Sequence, residues 1–220
     1  MSEKPGLSQV REQLYSAVIS DALDSAGYRK QCIATELPLT PRTGITRLAG
    51  RCRTTRWEDI DFEDPEPYKL ELEAVDDCNP DDVIIAAAFG SMRSGIWGEL
   101  LSTASRNRGC AGVIVDGAVR DVAAMRQMKF PVFASGVSPY DSLNRQRVVA
   151  RDEPVEVGGV TIRSGDFVFA DEDGVVIVPQ KVETEVLIAA WEKVHAENEV
   201  RDAIRSGLGA SDAFAKYGVL

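Results

Sequence analysis

"VIIAAAFGSMRSGIWGELLSTA" (residues 83–104) and "GVIVDGAVRDVAAM" (residues 112–125) decide how this chain folds. Each opens on a short, unbroken apolar run of the kind expected for a buried strand. Each then passes one or more glycines and changes to helical spacing. "SMRSGIWG" (91–98) reads as a glycine-containing loop, and "ELLSTASRNRG" as a short helix stopped at Gly109 with basic residues in its last turn. "VRDVAAMRQMK" reads as a second helix with Asp121 near its start. Two strand–loop–helix units in a row predict parallel strands and an α/β sheet.

The flanks extend the pattern. Val10, Leu14, Ala17, Val18, Ala22 and Leu23 recur at helical spacing, which predicts a helix over 7–27 with Gly27 as its stop. Residues 45–57 read as a strand, and the acidic, proline-bearing "EDIDFEDPEPYKLELEA" begins as a loop. "FPVFASG" is a further short strand. "PVEVGGVTIRSGDFVFADEDGVVIVP" (154–179) reads as several strands joined at Gly-Gly, Ser-Gly-Asp and Asp-Gly turns. Residues 181–206 form a long polar helix.

Bulk properties narrow the function. The 220 residues suit one domain with a good-sized core. A net charge of −10 disfavours nucleic acid and anionic membranes as partners. Cys32, Cys52, Cys78 and Cys110 are scattered and form no CxxC pair, so they read as reduced thiols. The first residues carry no apolar signal core, and no apolar run is long enough to span a bilayer, so a cytoplasmic location is expected.

Ligands of α/β sheets collect where strands end and helices begin. At the first junction Gly90, Gly95 and Gly98 lead into a helix start whose N–H groups suit a carboxylate or phosphate. Glu99 stands in that first turn, where an acid also serves as a cap. At the second junction come Arg120 and Asp121, which alone would read as a surface ion pair and a helix-start acid. Taken together, Glu99 and Asp121 lie on one sheet edge and make an oxygen-only pair of the kind Mg²⁺ or Mn²⁺ accepts. Arg120 adds a planar fork for a carboxylate or a developing enolate oxygen. No His or Cys is near, which argues against zinc. Lys129 and Lys181 sit at no strand–helix junction, which argues against a Schiff base. His195 lies in the polar helix and reads as solvated; no serine has a positioned base; no P-loop or GxGxxG is present. Asp116 reads as a turn-capping residue.

"GELLSTASRNRGCAGVIVDGAVRDVAAMRQMKFPVFASG" (98–136) resembles the RraA-like family, in particular its class II pyruvate aldolase branch of 4-hydroxy-4-methyl-2-oxoglutarate and 4-carboxy-4-hydroxy-2-oxoadipate aldolases. The branch signature is an acid, twenty residues, then Arg-Asp. Here Glu99, residues 100–119 and Arg120-Asp121 fit it, with Glu where the family usually has Asp. "SDALDSAG" (20–27) and residues 154–179 add to a likeness running from about 16 to 207.

The resemblance implies a three-layer β/β/α swivelling-domain fold with N- and C-terminal helices, one domain over 1–220 with its core at about 16–180, and homotrimers or homohexamers with sites between subunits. It implies that Asp121 and Glu99 organise a divalent metal, Mg²⁺ or Mn²⁺, and that an acid of a neighbour's C-terminal helix, Glu199 or Glu197, completes the shell. It implies substrate contacts at Gly95, Ile96, Trp97, Gly98, Leu100 and Arg120. The activity implied is cleavage of 4-hydroxy-2-oxo acids to pyruvate and a second carbonyl compound, as in aromatic catabolism, with oxaloacetate decarboxylation on the side. The alternatives are a non-catalytic regulator that binds a ribonuclease or helicase, and a decarboxylase for a different 2-oxo acid.

Overall fold

The computed structural model describes residues 4–218, so residues 1–3 and 219–220 of the expected domain lie outside the described residues. Among the described residues ten strands form in chain order: β1 (Thr40–Pro41), β2 (Leu48–Asp59), β3 (Asp82–Trp97), β4 (Gly112–Val119), β5 (Val132–Val137), β6 (Gln146–Arg151), β7 (Val155–Val157), β8 (Val160–Ile162), β9 (Phe167–Ala170) and β10 (Val175–Val178). The helices are α1 (Leu7–Gln13), α2 (Ser16–Ser25), α3 (Lys69–Asp76), α4 (Glu99–Asn107), α5 (Val122–Gln127), α6 (Glu183–Arg205) and α7 (Ala210–Tyr217).

The main sheet has the order β1-β5-β4-β3-β2-β9-β10, and β6 also pairs with β2. The three central pairings, β2–β3, β3–β4 and β4–β5, are parallel, as the alternation of strand and helix predicts. β9 and β6 share one edge of β2, pairing Leu48–Arg51 and Thr55–Asp59 respectively, both antiparallel.

Both faces of this sheet are covered, which is why its strands are apolar without alternation. Ile84, Ala86, Val113 and Val115 face the helices α3, α4 and α5, packing with Val75 and Met125. Their sequence neighbours Val83, Ile85 and Ile114 point the other way, against Val155, Val157, Val160 and Ile162 of the β7–β8 hairpin. Hairpin, sheet and helices make the three layers. A further apolar cluster seats α1, α2 and α6 on Phe167, Phe169, Val176 and Val178 of β9 and β10.

The structure corrects three expectations. The single helix over 7–27 is two helices, because Leu14 is extended (φ −84°, ψ 164°) and buries its side chain in the apolar cluster beneath both. The loop at 91–98 is instead the second half of β3, extending to Trp97. Its register with β4 jumps from Ala87↔Asp116 to Ser91↔Gly117 and then to Gly95↔Ala118, so β3 bulges outward. Left-handed Phe89 (φ 53°) and Gly90 (φ 74°) start that excursion. Finally, β4 continues past Gly117 to Val119, so Asp116 is a buried strand residue and caps no turn.

Candidate active site

The C-terminal ends of β3 and β4 lie side by side, and their last pair is Trp97↔Val119. Just past it, the Arg120 N–H donates to the Trp97 carbonyl at 2.8 Å. This ties the start of the second junction to the end of the first. Asp121 then adopts the left-handed conformation (φ 57°, ψ 30°) as the N-cap of α5. That conformation is uncommon for a non-glycine residue, costs on the order of 1 kcal/mol, and recurs at functional sites. It turns Asp121 back toward β3. The Asp121 Oδ2 atom accepts the Glu99 N–H at 3.2 Å, so it sits on the N-terminus of α4, where the helix dipole favours an anion.

Two glycines make this approach possible. A Cβ on Gly95 would lie 2.5 Å from the Ser138 carbonyl oxygen and 2.8 Å from the Arg120 Cβ. A Cβ on Gly98 would lie 2.5 Å from the Asp121 Oδ2 and 3.1 Å from the Arg120 Cγ. The Gly95 N–H also donates to the Tyr140 carbonyl at 2.9 Å, and the Ser138 N–H to the Val119 carbonyl at 3.0 Å, so the chain after β5 closes over the same spot.

Arg120 stands between two acids. Its Nη1 lies 3.1 Å from Asp141 Oδ2 and its Nε 3.8 Å from Asp121 Oδ2. Asp141 in turn accepts the Tyr68 hydroxyl at 3.0 Å and the Leu143 N–H at 2.9 Å. Burial alone would raise the Asp141 carboxyl, but the Leu143 N–H, the Tyr68 hydroxyl and Arg120 outweigh it and hold the group below its ordinary value. The Tyr68 hydroxyl is pushed up to about 12 by burial and by the adjoining Asp141. Asp141 is therefore the fixed anion that orients Arg120.

Glu71 of α3 is buried near this pair, and its carboxyl is pushed up to about 8 by burial and by Asp141, with Arg120 partly offsetting both. The folded chain thus holds this proton at pH values where the unfolded chain has lost it. Stability should fall as pH rises from about 4.5 to about 8, then level off. Glu71→Gln should remove that slope and raise stability at pH 9 by on the order of a few kcal/mol, with little change at pH 5. Urea titrations across that range would measure it, and parallel pH slopes for the two proteins would refute the assignment.

The residues singled out from sequence divide clearly. Glu99, Arg120, Asp121, Gly95 and Gly98 come together at this edge. Glu99 keeps its carboxylate close to its own helix, with Oε1 accepting the Thr103 hydroxyl at 2.7 Å. Leu100 is 77% exposed beside Glu99. The side chains of Ile96 and Trp97 belong to the core: both are buried, and the Trp97 Nε1–H donates to Ser102 Oγ at 2.8 Å. Only their backbone is left for a ligand. Glu199 does not join the set within one chain, because α6 packs on α1, α2 and the β9–β10 end of the sheet. Glu197 is already engaged by the Tyr15 hydroxyl, Lys193 and Arg201. Among the described residues no three acidic, His or Cys side chains converge as a complete metal set. Asp141, Tyr68 and Glu71 were not expected. They lie far from the signature in sequence, and no local motif marks them.

What Asp121 and Glu99 do offer fits a hard divalent cation. The donors are carboxylate oxygens, Asp121 is about half exposed at 47%, and glycine at 98 lets the Asp121 carboxylate close on the α4 start where a Cβ would push it away. Mg²⁺ keeps several waters, so two carboxylates are a workable share of its shell.

A model of the RraA-like family (Aldolase/RraA) matches residues 16–177. Protein DlpA of Legionella pneumophila is 28% identical over 97% of this chain, and 4-hydroxy-4-methyl-2-oxoglutarate aldolase of Thermus thermophilus is 34% identical over 62% of it. The chain spans 34% of the length of the first and 79% of the second. The solved structure of Streptomyces coelicolor RraAS2, described as an unusual member of the RNase ES inhibitor RraA protein family, superposes with a TM-score of 0.77 at 28% identity, covering 91% of this chain and 99% of that one.

Proposed function

Because the chain belongs to the RraA-like family, we propose that it is a carbon–carbon lyase that cleaves 4-hydroxy-2-oxo acids to pyruvate and a second carbonyl compound, with Mg²⁺ or Mn²⁺ at Asp121 and Glu99. The observation that carries this reading is the convergence of Arg120, Asp121 and the Gly98–Glu99 helix start at one sheet edge. When bound, the cation supplies Lewis-acid charge at the 2-oxo acid.

The chain's own residues do the rest. Arg120 presents a planar donor to the substrate carboxylate or to the 2-oxo oxygen. As the C3–C4 bond breaks, its electron pair passes to C3 and the 2-oxo oxygen, the 4-hydroxyl gives its proton to a water at the half-exposed site to leave the second carbonyl, and C3 of the enolate then takes a proton from water to give pyruvate. Negative charge peaks on the 2-oxo oxygen, and a fixed cation beside it stabilises that state more than the ground state. Asp141 keeps Arg120 in place at no cost during the reaction, because its hydrogen bonds to Tyr68 and Leu143 already exist. Oxaloacetate can lose CO₂ through the same electron flow, so decarboxylation is the side activity we assign.

Exposed Leu100, Val137 (58%) and Tyr140 (60%) surround the site with apolar surface. That surface supports assembly as a homotrimer or homohexamer, in which a neighbouring copy would cover the face and could bring Glu199 to it. The likeness to RraAS2 supports the rival reading, a non-catalytic regulator that binds a ribonuclease through this apolar face. One experiment separates them. Pyruvate release from a panel of 4-hydroxy-2-oxo acids, coupled to lactate dehydrogenase, should vanish in EDTA and return with Mg²⁺ or Mn²⁺. Undiminished release in chelator would overturn the metal role, and no release from any substrate would favour the regulator.

A further inference from the structure

Asp116 has no part in the chemistry above. β4 points its side chain away from the helices, to the face it shares with Ile114 under the β7–β8 hairpin. There it lines a cavity of about 690 Å³ together with Thr35, Glu36, Phe89, Ser135 and Glu156. That volume is in the range of small-molecule sites.

Two side-chain atoms in this lining lack partners. Asp116 is 5% exposed and Ser135 is 7% exposed. Asp116 Oδ1 and Ser135 Oγ are both buried without a hydrogen bond. Native proteins rarely leave such atoms unmet, and a donor that meets them gains the whole difference. Burial pushes the Asp116 carboxyl up, and the Gly90 N–H and Ser135 hydroxyl, nearby but outside hydrogen-bond geometry, offset this only in part.

The lining states what kind of donor is wanted. It carries three carboxyl groups, two hydroxyls and the exposed ring of Phe89, and neither lysine nor arginine is among the lining residues. Anionic 2-oxo acids are disfavoured there. A bare metal ion is disfavoured too, because no three acids stand close enough to hold one among the described residues. An ammonium group brings three N–H donors and a positive charge that an aromatic face also attracts.

We propose that the cavity between the main sheet and the β7–β8 hairpin is a second binding site for a small organic ammonium ion, its –NH₃⁺ group held by Asp116 and Ser135 and its remainder lying toward Phe89, Glu36 and Glu156. The site is independent of the lyase reading, since it lies on the opposite face of the sheet from α4 and α5. Calorimetric titration of the intact protein with 1,4-diaminobutane should give saturable binding, while 1,4-butanediol, equal in length and uncharged, should give none. Asp116→Asn should weaken diamine binding by about tenfold or more, the usual loss for a charge-assisted hydrogen bond. Glu156→Gln, on an exposed strand position, should weaken it by about two- to threefold and keeps the test decisive if the Asp116 variant does not fold. Equal binding of diol and diamine, unchanged affinity in the folded variants, or no saturation by about 10 mM diamine would overturn the proposal.

Discussion

Arg120→Lys is expected to lower the turnover of pyruvate release by about 10²–10³-fold, the usual loss when one preorganised donor to a developing oxyanion is removed. The charge is kept, so the loss tests geometry. In the structure Arg120 spans two acids, with Nη1 on Asp141 and Nε toward Asp121. A guanidinium can hold Asp141 with one prong and still present another donor to substrate. An ammonium is a single point on a flexible stem, so a lysine that pairs with Asp141 has left the substrate. The decrease should appear in kcat as well as in kcat/KM, because the charge it meets develops only as the bond breaks. Arg120→Lys with normal kcat and raised KM would reduce Arg120 to substrate binding.

Gly98→Ala should leave the fold intact and cost about 10²-fold in activity. Gly98 is extended (φ −148°, ψ −165°), a conformation alanine adopts freely. The added methyl meets chiefly the Asp121 carboxylate at 2.5 Å, with the Arg120 Cγ next at 3.1 Å. Relief is therefore cheap for stability, since a side-chain end can move, but expensive for the site, since the part that moves is the proposed metal ligand. A displacement of about 1 Å at a reacting group commonly costs that factor. The variant should also need more Mg²⁺ or Mn²⁺ for half-maximal activity, with its melting temperature nearly unchanged. Activity within about twofold of the parent at limiting metal would separate Asp121 from metal binding.

These two substitutions sit in the part of the molecule that sequence reveals best. Glu99, Arg120 and Asp121 are legible because strand–helix junctions place consecutive residues at one sheet edge, so a spacing along the chain becomes a distance in space. The orienting residues are not legible in that way. Asp141 lies beyond β5 and Tyr68 and Glu71 lie before β3, and only the sheet order brings them to Arg120. Local composition misleads at 91–98 as well. Ser, Arg and Gly favour a loop there, yet pairing with β4 draws the segment into the sheet and the excess length is taken up as a bulge. The break between α1 and α2 carries neither proline nor glycine, so apolar periodicity runs straight across it. Asp-Gly at 116–117 is a turn signal, and here pairing of both residues with β3 overrides it.

β2 is the longest-range joint in this sheet. One of its edges is filled by the neighbouring β3, while the other is shared by β9 and β6, which arrive about a hundred residues later. During synthesis at the ribosome, β2 through β5 can assemble as soon as residue 137 has emerged, but the outer edge of β2 stays open until residues 146–170 follow. For that interval the nascent chain exposes unpaired backbone amides and carbonyls able to capture a strand from another molecule. Closure across so large a sequence separation makes folding slow as well as late. Chaperone demand should therefore peak before β9 emerges, and a released chain truncated near residue 140 should aggregate where the full chain does not.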